Sequence, residues 1–139
     1  MAGTITFTMI KPEAVRNLQS GKILDTIINS GFSLRALKLV SLSHEKASKF
    51  YEIHKERPFY NDLVAFMSSG PVIAAVLEKD NAVEAYRELI GATNPAEAAT
   101  GTIRQLFGTS IQNNAVHGSD SDENAIKEAA FFFSEFDRV

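Results

Sequence analysis

No cysteine occurs in the 139-residue chain, which excludes disulfides, thiolate metal sites and cysteine nucleophiles. Nor is there a basic excess. Lys and Arg number 14 against 17 Asp and Glu, a formal net charge of -3, so nucleic acid is not expected as a main partner; such binders usually neutralise backbone phosphates with bulk positive charge. No apolar run approaches the roughly 20 residues that a membrane helix needs. The segment Met1 to Phe7 lacks the charged and long apolar parts of a secretory leader. The expectation is a cytoplasmic protein with no membrane partner. Familiar phosphate motifs are missing as well. Gly21-Lys22 belongs to no G-x-x-x-x-G-K-[ST] loop, and there is no dinucleotide fingerprint, kinase Gly-rich loop or H-E-x-x-H zinc helix. Ser119 lacks the G-x-S-x-G elbow of a serine hydrolase.

What is present is the make-up of an ordinary globular chain, 45% hydrophobic and 22% charged, and residues 1–139 are expected to form one domain. Ile5, Phe7 and Met9 alternate with Thr4, Thr6 and Thr8, the pattern of a half-buried strand. Lys11-Pro12 closes it and suits a helix start. Ile23, Leu24, Ile27 and Ile28 recur at helical spacing before Gly31. Leu34, Ala36, Leu37, Leu39, Val40 and Leu42 form a second strand with imperfect alternation. Ser43 caps a helix on which Ala47, Phe50, Tyr51 and His54 share a face. Arg57-Pro58 interrupts it, and Phe59 to Met67 follow as another helix. Gly70-Pro71 turns into the apolar run Val72 to Leu77, a strand buried on both faces. Asp80 opens a helix through Val83, Tyr86, Leu89 and Ile90, ended by Gly91. After Asn94-Pro95, Thr102 to Phe107 add a short helix. Ala115-Val116-His117 is a brief strand, and Asp120 to Asp122 cap a last helix carrying Ile126, Ala129, Ala130 and Phe133. This order predicts an α+β fold, a ferredoxin-like βαββαβ sandwich whose four-stranded antiparallel sheet is covered by helices.

Of the three histidines, His54 lies on an apolar helical stripe and reads as packed. His44 sits in a first helical turn and reads as solvated. His117 differs, because it ends a strand just before Gly118-Ser119-Asp120. Such junctions expose a side chain on a rigid base, and glycine beside it allows a ligand near the backbone. A turn or capping role fits it equally well. Lys11, Arg87 and Arg104 would form a phosphate clamp if the fold gathers them; taken singly, each is an ordinary surface cation. Asp120, Asp122 and Glu123 read as helix-start acids rather than a metal cage.

The segment Asn114-Ala115-Val116-His117-Gly118-Ser119-Asp120 resembles the active-site signature of nucleoside diphosphate kinases. Thr8-Met9-Ile10-Lys11-Pro12-Glu13, Arg57-Pro58-Phe59, Ser69-Gly70-Pro71-Val72, Gly91-Ala92-Thr93-Asn94-Pro95 and Gly101-Thr102-Ile103-Arg104 resemble the same family in its order and spacing. The resemblance implies a phosphotransferase that moves the γ-phosphoryl group of ATP or another nucleoside triphosphate to a nucleoside diphosphate. It makes His117 the nucleophile, with Glu128 on its other ring nitrogen and Ser119 supporting that carboxylate. It assigns Lys11, Tyr51 and Arg104 to the transferring end of the phosphate chain, and Arg87 and Thr93 to its inner phosphates. Asn114 and Lys11 are assigned to the sugar hydroxyls, Phe59 to stacking on the base and Ile111 to the opposite face. Mg²⁺ would bridge the nucleotide's own phosphates, touching Asp120 through water. A homo-oligomer, tetramer or hexamer, is also implied. Asn113 departs from the charged residue common at that position, and the chain ends soon after Phe131-Phe132-Phe133.

Neutral imidazole at cytoplasmic pH suits such a nucleophile, since its ordinary pKa is about 6.5. Phosphoryl transfer passes through a loose transition state, so cations and positioning matter more than an acid–base pair. A covalent phosphohistidine predicts ping-pong kinetics, and aromatic stacking predicts broad base tolerance. Two other readings stay open: a nucleotide or single-strand binding module without turnover, and an unrelated regulatory domain of the same architecture.

Overall fold

The computed structural model describes residues 3–139, so Met1 and Ala2 of the expected leaderless N-terminus lie outside the described residues. The strands are β1 (Ile5–Ile10), β2 (Ser33–Ser41), β3 (Pro71–Glu78) and β4 (Val116–Gly118). They form one four-stranded sheet in the order β2-β3-β1-β4, with antiparallel pairing throughout. The helices are α1 (Pro12–Arg16), α2 (Ser20–Asn29), α3 (His44–Phe50), α4 (Tyr60–Met67), α5 (Ala82–Ile90), α6 (Ile103–Phe107) and α7 (Asp122–Phe132). This is the α+β, ferredoxin-like arrangement, with α3 and α4 inserted between β2 and β3.

Helices cover both faces of the sheet. On one face Phe7, Met9, Val72, Ala74 and Val76 pack with Ala47, Tyr51, Val64, Met67, Ala129 and Phe133. On the other, Ile10, Ala75, Leu77 and Val116 pack with Ala14, Ile23, Ile27, Tyr86, Ile90 and Ile103. A strand between two such layers is buried on both sides, so β1 is not the half-buried strand that its alternation suggests. Thr6 and Thr8 are as buried as Phe7 and Met9.

Other local departures have local causes. The single first helix splits into α1 and α2, because Leu18 takes a left-handed backbone (φ 59) between them. The imperfect alternation of β2 is a register shift between Leu34 and Ala36, and an inserted residue turns the side chains beyond it over. Leu37 and Leu39 are exposed as a result. Asn81, not Asp80, precedes α5. Ser121 rather than Asp120 or Asp122 caps α7, its side chain accepting the Asn124 N–H. Asp122 instead accepts from the Gly3 N–H at 2.8 Å. The buried face of α7 is Ala125 and Ala129, continued by Phe133, whereas Ile126 and Ala130 are exposed.

Gly91 ends α5 at φ 87, ψ -175, and a Cβ there would stand 2.5 Å from Thr102 Oγ1. That backbone region is essentially reserved for glycine. Gly91→Ala is therefore expected to lower unfolding stability by about 1–3 kcal/mol. Gly21→Ala, in a helical position where an added Cβ meets nothing within 4 Å, should raise it by about 0.5–1 kcal/mol. Urea unfolding of both variants checks the pair, and equal shifts would contradict it.

Candidate active site

β4 and α7 bring three polar side chains into contact. His117 Nε2 lies 2.8 Å from Glu128 Oε1. Ser119, 0% exposed, donates its hydroxyl to the same oxygen at 2.7 Å while its Oγ accepts the Phe7 N–H at 3.3 Å. The carboxylate is thus fixed from β1 and β4 before it meets the imidazole. Among the described residues, Nδ1 of His117 has no protein hydrogen-bond partner. Aromatic rings box the imidazole in, with centroids at 5.5 Å for Phe50, 6.0 Å for Phe7 and 6.2 Å for Tyr51.

His117 lines a cleft of about 630 Å³. Lys11, Tyr51, Phe59, Arg87, Thr93, Arg104, Ile111, Asn114, Asp120 and Glu128 line it too. Of the residues to which the family resemblance assigns a site role only Ser119 is not on the wall; it lies beneath it, holding Glu128. The cations converge because the end of β1, the last turn of α5 and the start of α6 all meet the cleft, carrying Lys11, Arg87 and Arg104 respectively. Proline at 12 starts α1 and ends β1 just before Lys11, whose N–H donates to Ala115 O at 2.9 Å.

The site is built of polar groups in want of partners, most of them donors. Lys11 is 7% exposed, and among the described residues its ammonium makes a single, long hydrogen bond, Nζ to Gln112 O at 3.4 Å. Burial, and after it the nearby Arg104, bring its pKa down to about 7. Arg104 donates Nη1 to Gly91 O at 3.1 Å and Nη2 to Val116 O at 3.0 Å, and its Nε is buried without a partner. Burial lowers Arg104 to about 10; Tyr86 opposes that shift and Arg87 adds to it, yet the guanidinium stays charged at neutral pH. The Tyr51 hydroxyl is buried and unpartnered, and burial, followed by the Glu128 charge, holds its pKa far above the usual phenol range. Asn114 donates to Thr93 O at 3.0 Å, leaving its own buried Oδ1 unpaired. Orphaned buried groups cost about 1–3 kcal/mol each, and two crowded cations add repulsion. A flexible polyanion entering the cleft relieves both.

At the outer end the wall turns apolar. Phe59, 48% exposed, and Ile111, 61% exposed, line the same cleft, which suits a flat ring. His54 is not on the stripe of α3, which stops at Phe50. It sits in a 3-10 turn with its ring 5.7 Å from Phe59 and lines the cleft. Phe50, Lys49, Lys127 and Phe131 also line the wall, with no site role evident from the sequence. The adjacency of Phe50 to Tyr51 and the aromatic run at 131–133 were the available signals. Gly118 serves packing: a Cβ there would lie 2.9 Å from Ile90 Cδ1 and 3.2 Å from Tyr86 Cδ2.

Comparison with known proteins gives the family. Residues 4–138 match the family model described as nucleoside diphosphate kinase. The nucleoside diphosphate kinase of Flavobacterium psychrophilum is 60% identical over 134 residues, 96% of this chain and 96% of the relative. That of Geotalea daltonii is 54% identical over 134 residues, covering 96% and 98% respectively. Among solved structures, Aquifex aeolicus nucleoside diphosphate kinase superposes with a TM-score of 0.96 at 47% identity, covering 98% of this chain and 99% of that one. The Halobacterium salinarum enzyme in complex with CDP gives 0.93 at 36% identity, covering 97% and 90%. A caged histidine, a cationic cleft and a match along nearly the whole sequence converge on one conclusion: the chain belongs to the nucleoside diphosphate kinase family.

Proposed function

We propose that the chain, as one domain over residues 1–139, transfers the γ-phosphoryl group of ATP or another nucleoside triphosphate to a nucleoside diphosphate through a phosphohistidine at His117. The observation that carries this reading is the 2.8 Å contact between His117 Nε2 and Glu128 Oε1. With Nε2 carrying the proton it donates to Glu128, Nδ1 keeps its lone pair and is the attacking atom. In the first half-reaction Nδ1 bonds to the γ-phosphorus as the bond to the bridging oxygen breaks, and the diphosphate leaves with that electron pair. The positive charge gained by the ring is stabilised by Glu128, which Ser119 steadies. The second half-reaction is the reverse, with another diphosphate as acceptor.

Lys11, Tyr51 and Arg104 hold the transferring end of the phosphate chain, and Arg87 and Thr93 its inner phosphates. Asn114 and Lys11 take the sugar hydroxyls; the unpaired Oδ1 of Asn114 supports this, being an acceptor for an O–H. Phe59 stacks on the base with Ile111 opposite, which favours broad base tolerance. A kinase of this family works with a divalent metal, here taken as Mg²⁺. Asp120 is the wall residue that would hold it through water: its Oδ1 accepts from Asn124 at 2.6 Å, and Oδ2 would be the oxygen turned to the ion. When bound to the phosphates, the ion neutralises their charge.

No helix of the described residues is long and apolar enough to cross a membrane, and we place the protein in the cytoplasm. We also propose a homo-oligomer, tetramer or hexamer. The edge strand β2 supports association, since it leaves Leu37 and Leu39 exposed, a surface that lone proteins usually blunt. Light scattering should give a multiple of the 15.2 kDa chain mass; a monomer mass counts against it.

Intact mass after brief exposure to ATP should show one added phosphoryl group that a nucleoside diphosphate removes. His117→Ala should abolish both the addition and the transfer; a label persisting in that variant refutes the assignment. Lys11 gives a pH signature. Its ammonium is depressed to about 7, and bound phosphates raise it, so nucleotide binding takes up protons above pH 7. Calorimetry in buffers of different ionisation heat should show uptake growing from about pH 7 to 9 and absent in Lys11→Met. Equal uptake in that variant would contradict the role.

A further inference from the structure

Thr8 carries a hydroxyl into a fully buried strand, opposite Gly118 in the ladder. Its single hydrogen can go to one acceptor. The oxygen of His117, at 2.8 Å, is a carbonyl and can only accept. The Tyr86 hydroxyl at 2.6 Å must therefore be the donor in its contact with Thr8 Oγ1. A directed chain results: Tyr86 O–H to Thr8 Oγ1, and Thr8 O–H to the carbonyl of His117. Each bond polarises the next. Tyr86 is fully buried, and burial, against smaller opposing effects of Thr8 and Arg104, keeps its phenol protonated through the working pH range.

The same ring also leaves no room for a side chain on the next residue. A Cβ on Gly118 would approach Tyr86 Cδ2 to 3.2 Å. One peptide earlier, Val116 O accepts from Arg104 Nη2 at 3.0 Å. The backbone on either side of His117 is thus held from α5 and α6, independently of the Glu128 contact at the far end of the ring.

Building on the reading of His117 as nucleophile, we infer that Thr8 and Tyr86 are positioning residues that fix the His117 carbonyl and thereby place Nδ1 for attack. Nδ1 is bonded to Cγ, next to Cβ, so backbone displacement reaches it undamped, whereas Nε2 is tethered to the carboxylate. Thr6 supplies an internal comparison. It is buried on the same strand, two residues earlier, but its Oγ1 has no partner.

The test is rapid-quench phosphorylation of the full chain by ATP, alongside ADP affinity, for Thr8→Val, Thr8→Ser, Tyr86→Phe, Thr8→Val/Tyr86→Phe and Thr6→Val. Thr8→Val should slow phosphorylation of His117 by about tenfold or more, since small misplacements are costly to a near-attack geometry, with ADP affinity unchanged. Thr8→Ser should restore most of the rate, and Tyr86→Phe should fall between. The double variant should be no slower than Thr8→Val, because the hydroxyls act as one chain. Thr6→Val should react at the wild-type rate. Wild-type rates in folded Thr8→Val, or equal slowing in Thr6→Val, would overturn the inference. Should Thr8→Val fail to fold, a wild-type rate in Tyr86→Phe overturns it instead. Failure of the wild-type chain to take label at His117 would refute the nucleophile reading itself, a separate outcome.

Discussion

Everything at the site depends on Glu128 being immobile when it meets His117. An imidazole can swing about two torsions, and a mobile carboxylate would follow it rather than direct it. Ser119 prevents this by donating to the same carboxylate oxygen at 2.7 Å, and Ser119 is itself anchored to the backbone of β1. A rigid sheet edge is passed through a hydroxyl and a carboxylate to the ring. Preorganisation of this kind costs nothing at the moment of reaction.

The second constraint is charge. Lys11 and Arg104 are crowded into a largely desolvated cleft, and their lowered pKa values record how poorly they tolerate it. Two buried acceptorless donors, and a lysine with no carboxylate partner among the described residues, are destabilising in themselves. They suit a ligand that brings its own negative charge and several oxygens. The fold sustains them because two well-packed layers enclose the sheet. Stability built in the core thus offsets strain stored in the cleft.

Much of this was legible in the sequence. Apolar runs and turn residues gave the strand and helix order, and Ala115 to Asp120 marked His117 as a residue at a strand end before a helix. The ordered motifs named the family. Periodicity misread β1 because threonines at 6 and 8 look solvent-facing, and only the second helical layer buries them. The flip in β2 came from a bulge that alternation cannot locate. No one-dimensional pattern tells that Lys11, Arg87 and Arg104 converge, or that His54 leaves the helix to stand beside Phe59. The link from Tyr86 through Thr8 to His117 spans 78 residues and then 109. It is a property of packing alone.

The central claim is that Nε2 is occupied by Glu128 and Nδ1 does the chemistry. Nuclear magnetic resonance of the phosphorylated, ¹⁵N-histidine-labelled protein reads this directly through phosphorus–nitrogen coupling. The account predicts coupling to Nδ1, with a proton retained on Nε2. Phosphorus bonded to Nε2 would contradict it.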